Sequence, residues 1–496
     1  MNDFTSFPIH TLAASLLPDL GSVTDSSAFI GLRAGLGQFS ATALRDYVGG
    51  TGRSVRSYGA VGDGVADDSP AFAAAIAAAD ADGGGQIIIP KGNYRLNSAV
   101  SATAGNIHFI GDGAESWILN GTTDAAALTI GDGTTITYNY RVSGLQFATA
   151  SGVVSAAGNI GLRARKVGQS RFDNLVFTQF PSAGFDGLSL EEVSQSTVTS
   201  IFSQNNKRHG VYMHLCLDIY ITNCRSDANI TGFNIDDCQG IYCANAAGYA
   251  NTGNAWWLSF SAVGNVNLFF VNCIGDTSGG SNWNIQSLKR STFANCWGSS
   301  QINAAVDVTA GGFDLVGSDC SDITFAGGMA FFNNGSGVHL ITATGSPSYI
   351  TFNGMLFGAT GVGNGQSGTG YGLAIDGGCS HIKVLGGAAH ANTTAQIINN
   401  ATAPGSDIQV FGVAGFVSRN SGQATLDGAG TSVVVSHGLS AQPNPHDILI
   451  CPTTGLGDAK TLWVDTVTAT QFTVHADVAP TSLSPFFNWS ALLVVD

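Results

Sequence analysis

The chain has 496 residues, of which 66 are glycine and only 11% are charged. Because a single hydrophobic core seldom fills so long a chain, we expect either several domains or an array of repeats, and this composition favours short strands and tight turns over long helices. The net charge of −15, with only 19 Lys and Arg, leaves no basic stripe for nucleic acid and disfavours binding to an anionic membrane surface.

Residues 1–50 are short and mixed in pattern, and we interpret them as a small anchor or neck. Their first part has neither a basic region nor an uninterrupted apolar core, so it does not resemble a secretory signal. No later stretch reaches the length of a transmembrane helix. The sequence therefore predicts a protein that does not insert into a membrane.

Residues 54–97 carry the first strong secondary-structure signal. Asp68 or Ser69 can cap a helix in which Phe72 and Ile76 share one face. Three glycines end this helix, and the following run QIIIP is typical of a buried strand. A parallel β-helix leaves an open apolar end, and a short Ala-rich helix laid across that end is the expected cap.

The runs GAVGDGVADD and GGG-QIIIP-KGNY, together with the helix between them, resemble the N-terminal signature of the pectate-lyase-like superfamily. This superfamily includes polygalacturonases and many phage tailspikes. The resemblance implies a right-handed parallel β-helix. It does not specify a reaction, because members of the superfamily cleave, eliminate or merely bind sugars.

From residue 161 the sequence repeats with a period of roughly 23 residues, which is one turn, or rung, of a β-helix. The second and fourth residues of each rung are mostly apolar and would point inward, so the third and fifth would point outward. We therefore predict an all-β fold with a right-handed parallel β-helix over residues 51–420. Successive rungs are expected to begin at Gly161, Gly187, Gly210, Gly232, Ala255, Asn282, Ala305, Gly337 and Gly372.

A second strand recurs in each rung and aligns a column of asparagines at a turn, where their side chains would satisfy unpaired backbone groups. This column consists of Asn223, Asn245, Asn272 and Asn295. The nine cysteines show no zinc-type spacing, and most of them would stack inside the rungs as small apolar residues. We therefore predict no metal site and no cofactor, and folding in a reducing cytosol.

Near residue 420 the pattern changes to short strands typical of a separate antiparallel unit over residues 421–496. The runs SVVVSHGL and TATQFTV resemble the small C-terminal β-sandwich of phage tail fibres and tailspikes. That resemblance implies a role in trimer formation or in contact with the host surface.

Two outward columns of the rungs carry the candidate chemistry. The third residues of the rungs are Arg163, Ser189, Tyr212, Asn234, Trp257, Asn284 and Asp307. The fifth residues are Arg165, Glu191, His214, Asp236, Ser259, Gln286 and Thr309. Because neighbouring strands lie about 4.8 Å apart, each column forms a ladder with that step.

Glu191 and Asp236 are two steps apart in this ladder, about 9.6 Å at the backbone, with His214 between them. Inverting glycosidases hold their two carboxyl groups about 6.5–9.5 Å apart, which leaves room for a water molecule beside the sugar. We therefore predict Glu191, Asp236 and His214 as catalytic groups, with Asp237 as a further carboxylate. The predicted reaction is inverting hydrolysis of a polysaccharide.

Neighbouring side chains would bind the sugar through apolar rings, amides and guanidinium groups. The predicted substrate-binding residues are Arg163, Arg165, Tyr212, Asn234, Trp257 and Asn284, and Trp256 would add a further ring. His209 and His339 are further candidates for the same groove.

Several alternatives remain open from the sequence. A polysaccharide lyase would use Tyr212 and His214 for proton transfer, and Arg163 and Arg165 to neutralise a uronic acid carboxylate. The run NIDDC at 234–238 is similar to part of the polygalacturonase site, but no Gly-His-Gly follows it, so that site is not carried over. The site could instead involve Asp307, Asp314, Asp319 or Asp376, could be shared between subunits, or could be absent in a purely receptor-binding protein.

The order of the predicted domains and the two resemblances together favour a phage tailspike or prophage-encoded depolymerase. Its partners would be a bacterial surface polysaccharide (capsule, exopolysaccharide or O-antigen) and a phage tail or baseplate protein bound through the N-terminus. We expect a homotrimer that is made in the host cytoplasm and acts at the bacterial surface as part of the virion tail.

Overall fold

A computed structural model describes residues 52–153, 159–178, 186–301, 310–366, 370–401, 405–481 and 484–493. The chain forms a parallel β-helix followed by two small antiparallel sheets. The predicted all-β fold and the C-terminal antiparallel unit are thereby confirmed. The expected anchor at residues 1–50 lies outside the described residues.

One face of the β-helix is a 12-stranded parallel sheet, with one strand from each rung. Each strand between the two end strands pairs in register with the strands of the rungs before and after it. The strands are Val100–Ala102, Ala126–Ile130, Ile160–Arg165, Asp186–Glu191, His209–His214, Thr231–Asp236, Trp256–Ser259, Trp283–Ile285, Phe313–Val316, Val338–Ile341, Tyr371–Ile375 and Ala395–Asn399.

The remaining faces of the β-helix form a 26-stranded sheet. Its strands are Gly52–Ser54, Asp63–Asp67, Gly85–Ile89, Gly92–Leu96, Ile107–Gly111, Ser116–Asn120, Thr137–Tyr138, Arg141–Thr149, Val167–Gly168, Arg171–Thr178, Ser194–Gln204, Leu217–Thr222, Arg225–Asp227, Gln239–Ala244, Ala247–Tyr249, Asn265–Val271, Ile274–Asp276, Leu288–Ala294, Trp297–Ser299, Cys320–Ala326, Met329–Phe331, Ser348–Asn353, Leu356–Phe357, Ser380–Leu385, Ala388–Ala389 and Ile408–Phe411.

A helix at Ser69–Ala81 covers the N-terminal end of the β-helix, as predicted. Its buried face includes Phe72 and Ile76, and Phe72 meets Tyr94 edge to face at a centroid distance of 5.6 Å. Asp68 precedes the helix, but its carboxylate accepts hydrogen bonds from the backbone N–H groups of the preceding loop rather than from the helix. The helix therefore seals the apolar end of the first rungs.

The interior of the β-helix is filled by inward-pointing residues that stack on their equivalents in adjacent rungs. Trp256 and Trp283 are fully buried and stack at a centroid distance of 4.7 Å, and Phe293 stacks on Phe325 at 4.7 Å. Such stacked rings bury large apolar areas and fix the register of the strands that carry them. The predicted placement of Trp256 in the sugar-binding groove is wrong, because its ring belongs to this core.

The predicted rung at Ala305 is misaligned. Asn284 pairs with Asp314, and the flanking inward residues of the next rung are Phe313 and Leu315. The run AAVDV alternates as a strand would, but the next paired strand is Phe313–Val316, farther along the chain. The third-position column therefore continues from Asn284 to Asp314 and His339. The predicted member Asp307 lies outside the described residues.

The structure contains the predicted column of turn asparagines and the predicted buried cysteines. The four asparagines of the predicted turn column all adopt the left-handed backbone conformation, with φ between 51° and 55°. Eight of the nine cysteines are buried, and Cys451 is exposed. The Sγ atoms of Cys243 and Cys273 lie 3.6 Å apart within the stack.

The C-terminal unit consists of two three-stranded antiparallel sheets. The strands of the first are Arg419–Thr425, Phe486–Leu492 and Ile448–Pro452, and those of the second are Ser432–Ser436, Gln471–Ala476 and Leu462–Asp465. Residues from both sheets, including Phe472 and Trp489, share one apolar cluster. Within the described part of the chain, every helix is too short or too polar to cross a bilayer.

Candidate active site on the 12-stranded sheet

The structure places the two predicted columns side by side on the outer face of the 12-stranded sheet. Glu191 pairs with His214, and His214 pairs with Asp236, so the predicted ladder is correct in register. The adjacent column runs through Ser189, Tyr212 and Asn234 on the same strands. Strand alternation explains this arrangement, because residues two positions apart share one face of a sheet.

Glu191 is held by two guanidinium groups. Arg163 Nε lies 3.1 Å from Oε1, and Arg165 Nε lies 3.1 Å from Oε2. The Ser189 hydroxyl donates to Oε1 at 3.0 Å. Both oxygens of Glu191 are therefore engaged, and the two arginines lie within the predicted groove.

Asp236 is buried and hydrogen-bonded to His214. The two side chains meet at 3.0 Å between Nδ1 and Oδ2, and the Asp236 side chain is 6% exposed. Ser261 Oγ donates to Oδ2 at 2.7 Å, and Ser259 Oγ lies 3.2 Å from Oδ1. Since a carboxylate only accepts, Nδ1 of His214 donates its proton to Asp236.

This hydrogen bond fixes the chemistry of the other ring nitrogen. A neutral imidazole that donates through Nδ1 presents an unprotonated Nε2. Among the described residues, Nε2 of His214 has no hydrogen-bond partner, and the side chain is 29% exposed. His214 can therefore accept a proton from a molecule bound in the groove, while Asp236 stabilises the resulting imidazolium.

Tyr212 lies beside His214 on the same strand. The two rings are parallel within 5°, at a centroid distance of 6.2 Å. Burial, reinforced by the Asp236 carboxylate, raises the pKa of Tyr212 well above its ordinary value. The phenol therefore keeps its proton at neutral pH and has an O–H group available as a donor.

A buried carboxylate, Asp186, binds the two side chains that contact the ring of Tyr212. Asp186 is fully buried and forms an ion pair with Arg208, while its Oδ1 lies 3.0 Å from His209 Nδ1. His209 stacks on Tyr212 at a centroid distance of 5.2 Å, and Arg208 lies 5.7 Å from the centre of the same ring. Burial acts to raise the pKa of Asp186, but hydrogen bonds from Arg208 and His209 outweigh it and hold that pKa below its usual value.

Asn234 joins the two halves of the site. Its Nδ2 donates to His209 Nε2 at 3.2 Å, and its Oδ1 lies 2.8 Å from Ser259 Oγ. Since Ser259 also approaches Asp236, a continuous polar network runs from Asp186 to the pair formed by His214 and Asp236. Asn234 is 4% exposed, so this network positions the site rather than forming its outer surface.

Asp237 organises a loop of the next rung, which follows the strand Trp256–Ser259. Its carboxylate accepts hydrogen bonds from the four consecutive backbone N–H groups of residues 261–264, at 2.6 to 3.2 Å. This loop contains Ser261, whose hydroxyl bonds Asp236. Asp237 thus reaches the site indirectly, through the loop.

His214, Asp236 and Asp237 each offer one ligand atom, and these atoms lie within 4.8 Å of one another. Such a group could hold a metal ion. The hydrogen bonds described above already occupy the oxygens of both carboxylates, however, and Nδ1 of His214 faces Asp236. A cation would have to displace these hydrogen bonds.

The third-position column continues beyond the catalytic candidates toward the C-terminus. Trp257 and Asn284 follow Asn234 in the third-position column, as predicted. Trp257 Nε1 and Asn284 Oδ1 are buried atoms without a hydrogen-bond partner among the described residues. His339 lies farther along the same column and contacts Asp376 at 3.0 Å between Nε2 and Oδ1.

Comparison with known proteins identifies the class of fold. The family model described as "Rhamnogalacturonase A/epimerase, pectate lyase-like" matches residues 52–298. Through this segment the chain belongs to the pectate-lyase-like superfamily of parallel β-helix proteins. The matched segment includes all ten predicted site residues.

Short matches to curated proteins come from Azotobacter vinelandii. The mannuronan C5-epimerase AlgE1 is 42% identical over 66 residues, which are 12% of this chain and 5% of the epimerase. Alginate lyase 7 is 39% identical over 66 residues, 12% of this chain and 8% of that protein. The chain thus matches only a small part of the length of these relatives.

Among solved structures, the tailspike protein gp49 from Pseudomonas phage LKA1 has a TM-score of 0.57 at 12% identity, covering 90% of this chain and 100% of that chain. The N-terminal fragment of bacteriophage Phi29 gene product 12 has a TM-score of 0.53 at 15% identity, covering 73% and 71%. The AlgE6 A-module of Azotobacter vinelandii has a TM-score of 0.50 at 18% identity, covering 73% and 98%. At these sequence identities the similarity shows a shared fold and nothing more.

Proposed function

We propose that this chain is a phage tailspike that binds an acidic bacterial surface polysaccharide in the groove of the 12-stranded sheet and cleaves it by β-elimination. The observation that carries the proposal is the hydrogen bond between His214 and Asp236 beside a protonated Tyr212. Short matches to enzymes named for alginate and mannuronan support the substrate class, and a tailspike structure with the same fold is consistent with the proposed protein class.

In this reaction His214 Nε2 removes the proton at C5 of a uronic acid residue. The electron pair of that C–H bond forms a C4=C5 double bond while the bond from C4 to the glycosidic oxygen breaks. Tyr212 donates its phenolic proton to the departing oxygen. The anion that develops on the uronic acid carboxylate is stabilised by the guanidinium groups of Arg163 and Arg165, which lie on the same face, two strands before the base, and also contact Glu191.

Inverting hydrolysis is the second candidate, because Glu191 and Asp236 stand two rungs apart on one face, which is about 9.6 Å at the backbone, and such enzymes hold their carboxyl groups about 6.5–9.5 Å apart. Their contacts argue against it. Glu191 is bound by two arginines and a serine, while Asp236 is buried and bound to His214 and serine hydroxyls. A hydrolase needs one carboxyl group to carry a proton to the sugar and the other to activate water, and neither group has a free oxygen for this.

One digestion separates the candidates. The protein is incubated with surface polysaccharides from candidate hosts while ultraviolet absorbance and viscosity are followed together. β-Elimination raises the absorbance as the viscosity falls, because each cut creates a conjugated double bond. Falling viscosity without absorbance supports hydrolysis. Unchanged viscosity with every polymer contradicts depolymerisation and supports a receptor-binding role.

The assembly of the protein is a further part of the proposal. We infer that the C-terminal unit holds a homotrimer and that residues 1–50 attach it to a phage tail or baseplate protein. Sedimentation equilibrium of the full chain tests the first statement, with a mass three times that of the chain as the expected result. A chain lacking residues 1–50 that keeps its activity and trimer but no longer joins the virion would support the second.

A further inference from the structure

The outer face of the 26-stranded sheet carries a second continuous column of side chains, distinct from the groove that contains His214. Strand pairing places its members in direct register. We name this column the outer ladder, and it consists of His108, Arg141, Arg171, Thr197, Tyr220, Tyr242 and Phe269.

The first part of the outer ladder is basic. Arg141 and Arg171 are exposed and sit opposite each other on adjacent strands, with His108 on the preceding strand. Like charges directly opposite each other in a sheet are destabilising. Among the described residues neither guanidinium has an ion pair or hydrogen bond. Asp173, two residues along the strand from Arg171, faces the same side of the sheet.

These side chains line an open pocket of about 480 Å³. Its other walls include the amides of Asn106, Asn139 and Gln169. Asn139 Nδ2 donates to Asn106 Oδ1 at 3.0 Å, so the Asn106 amide group keeps its own N–H donors available for a ligand. Two guanidinium groups with neighbouring amide donors form a site suited to a carboxylate on a hydroxylated molecule.

The second part of the outer ladder is aromatic. Tyr220 and Tyr242 stack at a centroid distance of 4.9 Å, and Tyr242 stacks on Phe269 at 5.1 Å. The two tyrosines are 50% and 40% exposed. Thr197, a small residue, separates Tyr220 from Arg171 by two steps of about 4.8 Å each, which leaves the outer face of the first ring open toward the arginines.

We propose that the outer ladder is a second, non-catalytic binding site for an acidic polysaccharide. Arg141 and Arg171 bind a uronate carboxylate, and the adjoining sugar ring packs against Tyr220. In a chain with a net charge of −15 and only 19 Lys and Arg, two unpaired in-register arginines favour an anionic ligand. The inference shares with the proposed function only the chemical class of the polymer, and it requires no cleavage.

The test is affinity electrophoresis of the full chain in gels containing polygalacturonate, alginate, hyaluronate or neutral dextran. A His214→Ala background prevents degradation of the polymer. In this background Arg141→Gln/Arg171→Gln is compared with Arg419→Gln/Lys460→Gln, which makes the same charge change on exposed residues of the C-terminal unit. Tyr220→Ala is compared with Tyr349→Ala, another exposed and stacked ring.

We expect at least one acidic polymer to retard the parent protein, and roughly tenfold weaker binding for each lost arginine contact. Tyr220→Ala should also weaken binding, and both controls should bind as the parent does. The inference is overturned if no acidic polymer binds, if dextran binds equally well, or if the arginine variants match their control. It is also overturned if these variants change the sedimentation coefficient, because the ladder is then a contact between subunits.

Failure of the proposed function has a different signature. A wild-type protein that cleaves no polymer, but whose retardation by an acidic polymer depends on Arg141 and Arg171, contradicts β-elimination and leaves the outer ladder supported. Conversely, cleavage with retardation that is independent of both arginines supports the groove alone.

Discussion

The imidazole of His214 and the carboxylate of Asp236 meet at 3.0 Å on adjacent strands of one sheet. Asp236 also accepts hydrogen bonds from the hydroxyl groups of Ser259 and Ser261 in the next rung, and its side chain is buried. In the proposed reaction the pair acts as a unit, in which Asp236 orients the ring and His214 contacts the substrate.

Replacing either member of this pair tests the assignment directly. His214→Ala should lower kcat by about 10²- to 10⁴-fold, because a positioned base is lost. Asp236→Asn should cause a loss of similar size, since an amide in this place can favour the wrong imidazole tautomer. The initial rate of ultraviolet absorbance measures both. Near-normal turnover for both variants, with the fold intact by circular dichroism, would contradict the assignment.

Tyr212→Phe should remove the proton donor and keep the ring stack with His209. We expect kcat to fall by about 10²-fold or more with little change in KM. Because the pKa of Tyr212 is raised, its proton is retained up to and beyond pH 10, so the phenol should cause no alkaline fall in kcat/KM below about pH 10. A pH profile that falls near pH 8, and does so only when Tyr212 is present, would contradict this role.

Asp186→Asn should destabilise the protein and thereby the site. It removes the buried charge that Arg208 and His209 bind, and because the Arg208 side chain is 43% exposed we expect a loss of about 1–3 kcal/mol at neutral pH. The pKa of Asp186 is lower in the folded state than in the unfolded state. The stability that its carboxylate contributes is therefore complete above the unfolded-state pKa of about 3.9, and it is lost as the pH falls through the folded-state pKa. The thermal midpoints of wild type and variant should therefore converge in acid. Asp322→Asn, at an exposed position, is the control and should match wild type throughout.

Trp256 and Trp257 form a matched pair, because they are neighbours on one strand with opposite orientations. Trp256→Ala should destabilise the β-helix by about 3–5 kcal/mol through loss of core packing. Trp257→Ala should leave the thermal midpoint nearly unchanged and raise KM. Thermal unfolding and kinetics of the two variants measure this contrast, and a reversed pattern would mean that the register of this strand is wrong.

Asp237→Ala should act through the loop at residues 261–264. Without the four backbone hydrogen bonds that Asp237 accepts, we expect faster proteolytic cleavage in this loop and a smaller loss of kcat than in His214→Ala. Equal losses in the two variants would instead indicate that Asp237 participates in the chemistry.

Much of the fold was predictable because a β-helix repeats one physical pattern. The alternation of inward and outward residues identified the ladder of Glu191, His214 and Asp236 in the correct register. The rung after Asn284 was not predictable, because AAVDV and FDLV both alternate as strands, and only packing of Phe313 on Trp283 distinguishes them. The placement of Trp256 was wrong for a related reason. The adjacent tryptophans Trp256 and Trp257 suggest a sugar-binding surface, but strand alternation places the ring of Trp256 in the core.

The residues that position the site from behind were harder to predict from the sequence. Asp186 precedes the predicted start of its rung, and Arg208 and His209 precede theirs, so none belongs to the two outward columns. The run RHG at 208–210 was visible, but its partner lies 22 residues earlier and is brought close only by stacking. The hydrogen bonds that engage Glu191 and Asp237 depend on side-chain conformation and loop closure, which a one-dimensional pattern does not contain.

The rung-by-rung stacking has a consequence for how this protein tolerates change in length. One extra residue between Gly210 and His214 would rotate the imidazole into the core, because strand neighbours face opposite sides. The same insertion in an exposed connection beyond the strand would alter only the contour of the surface. Variation in length between related chains should therefore concentrate in the connections, so that new specificities can arise without disturbing the chemistry.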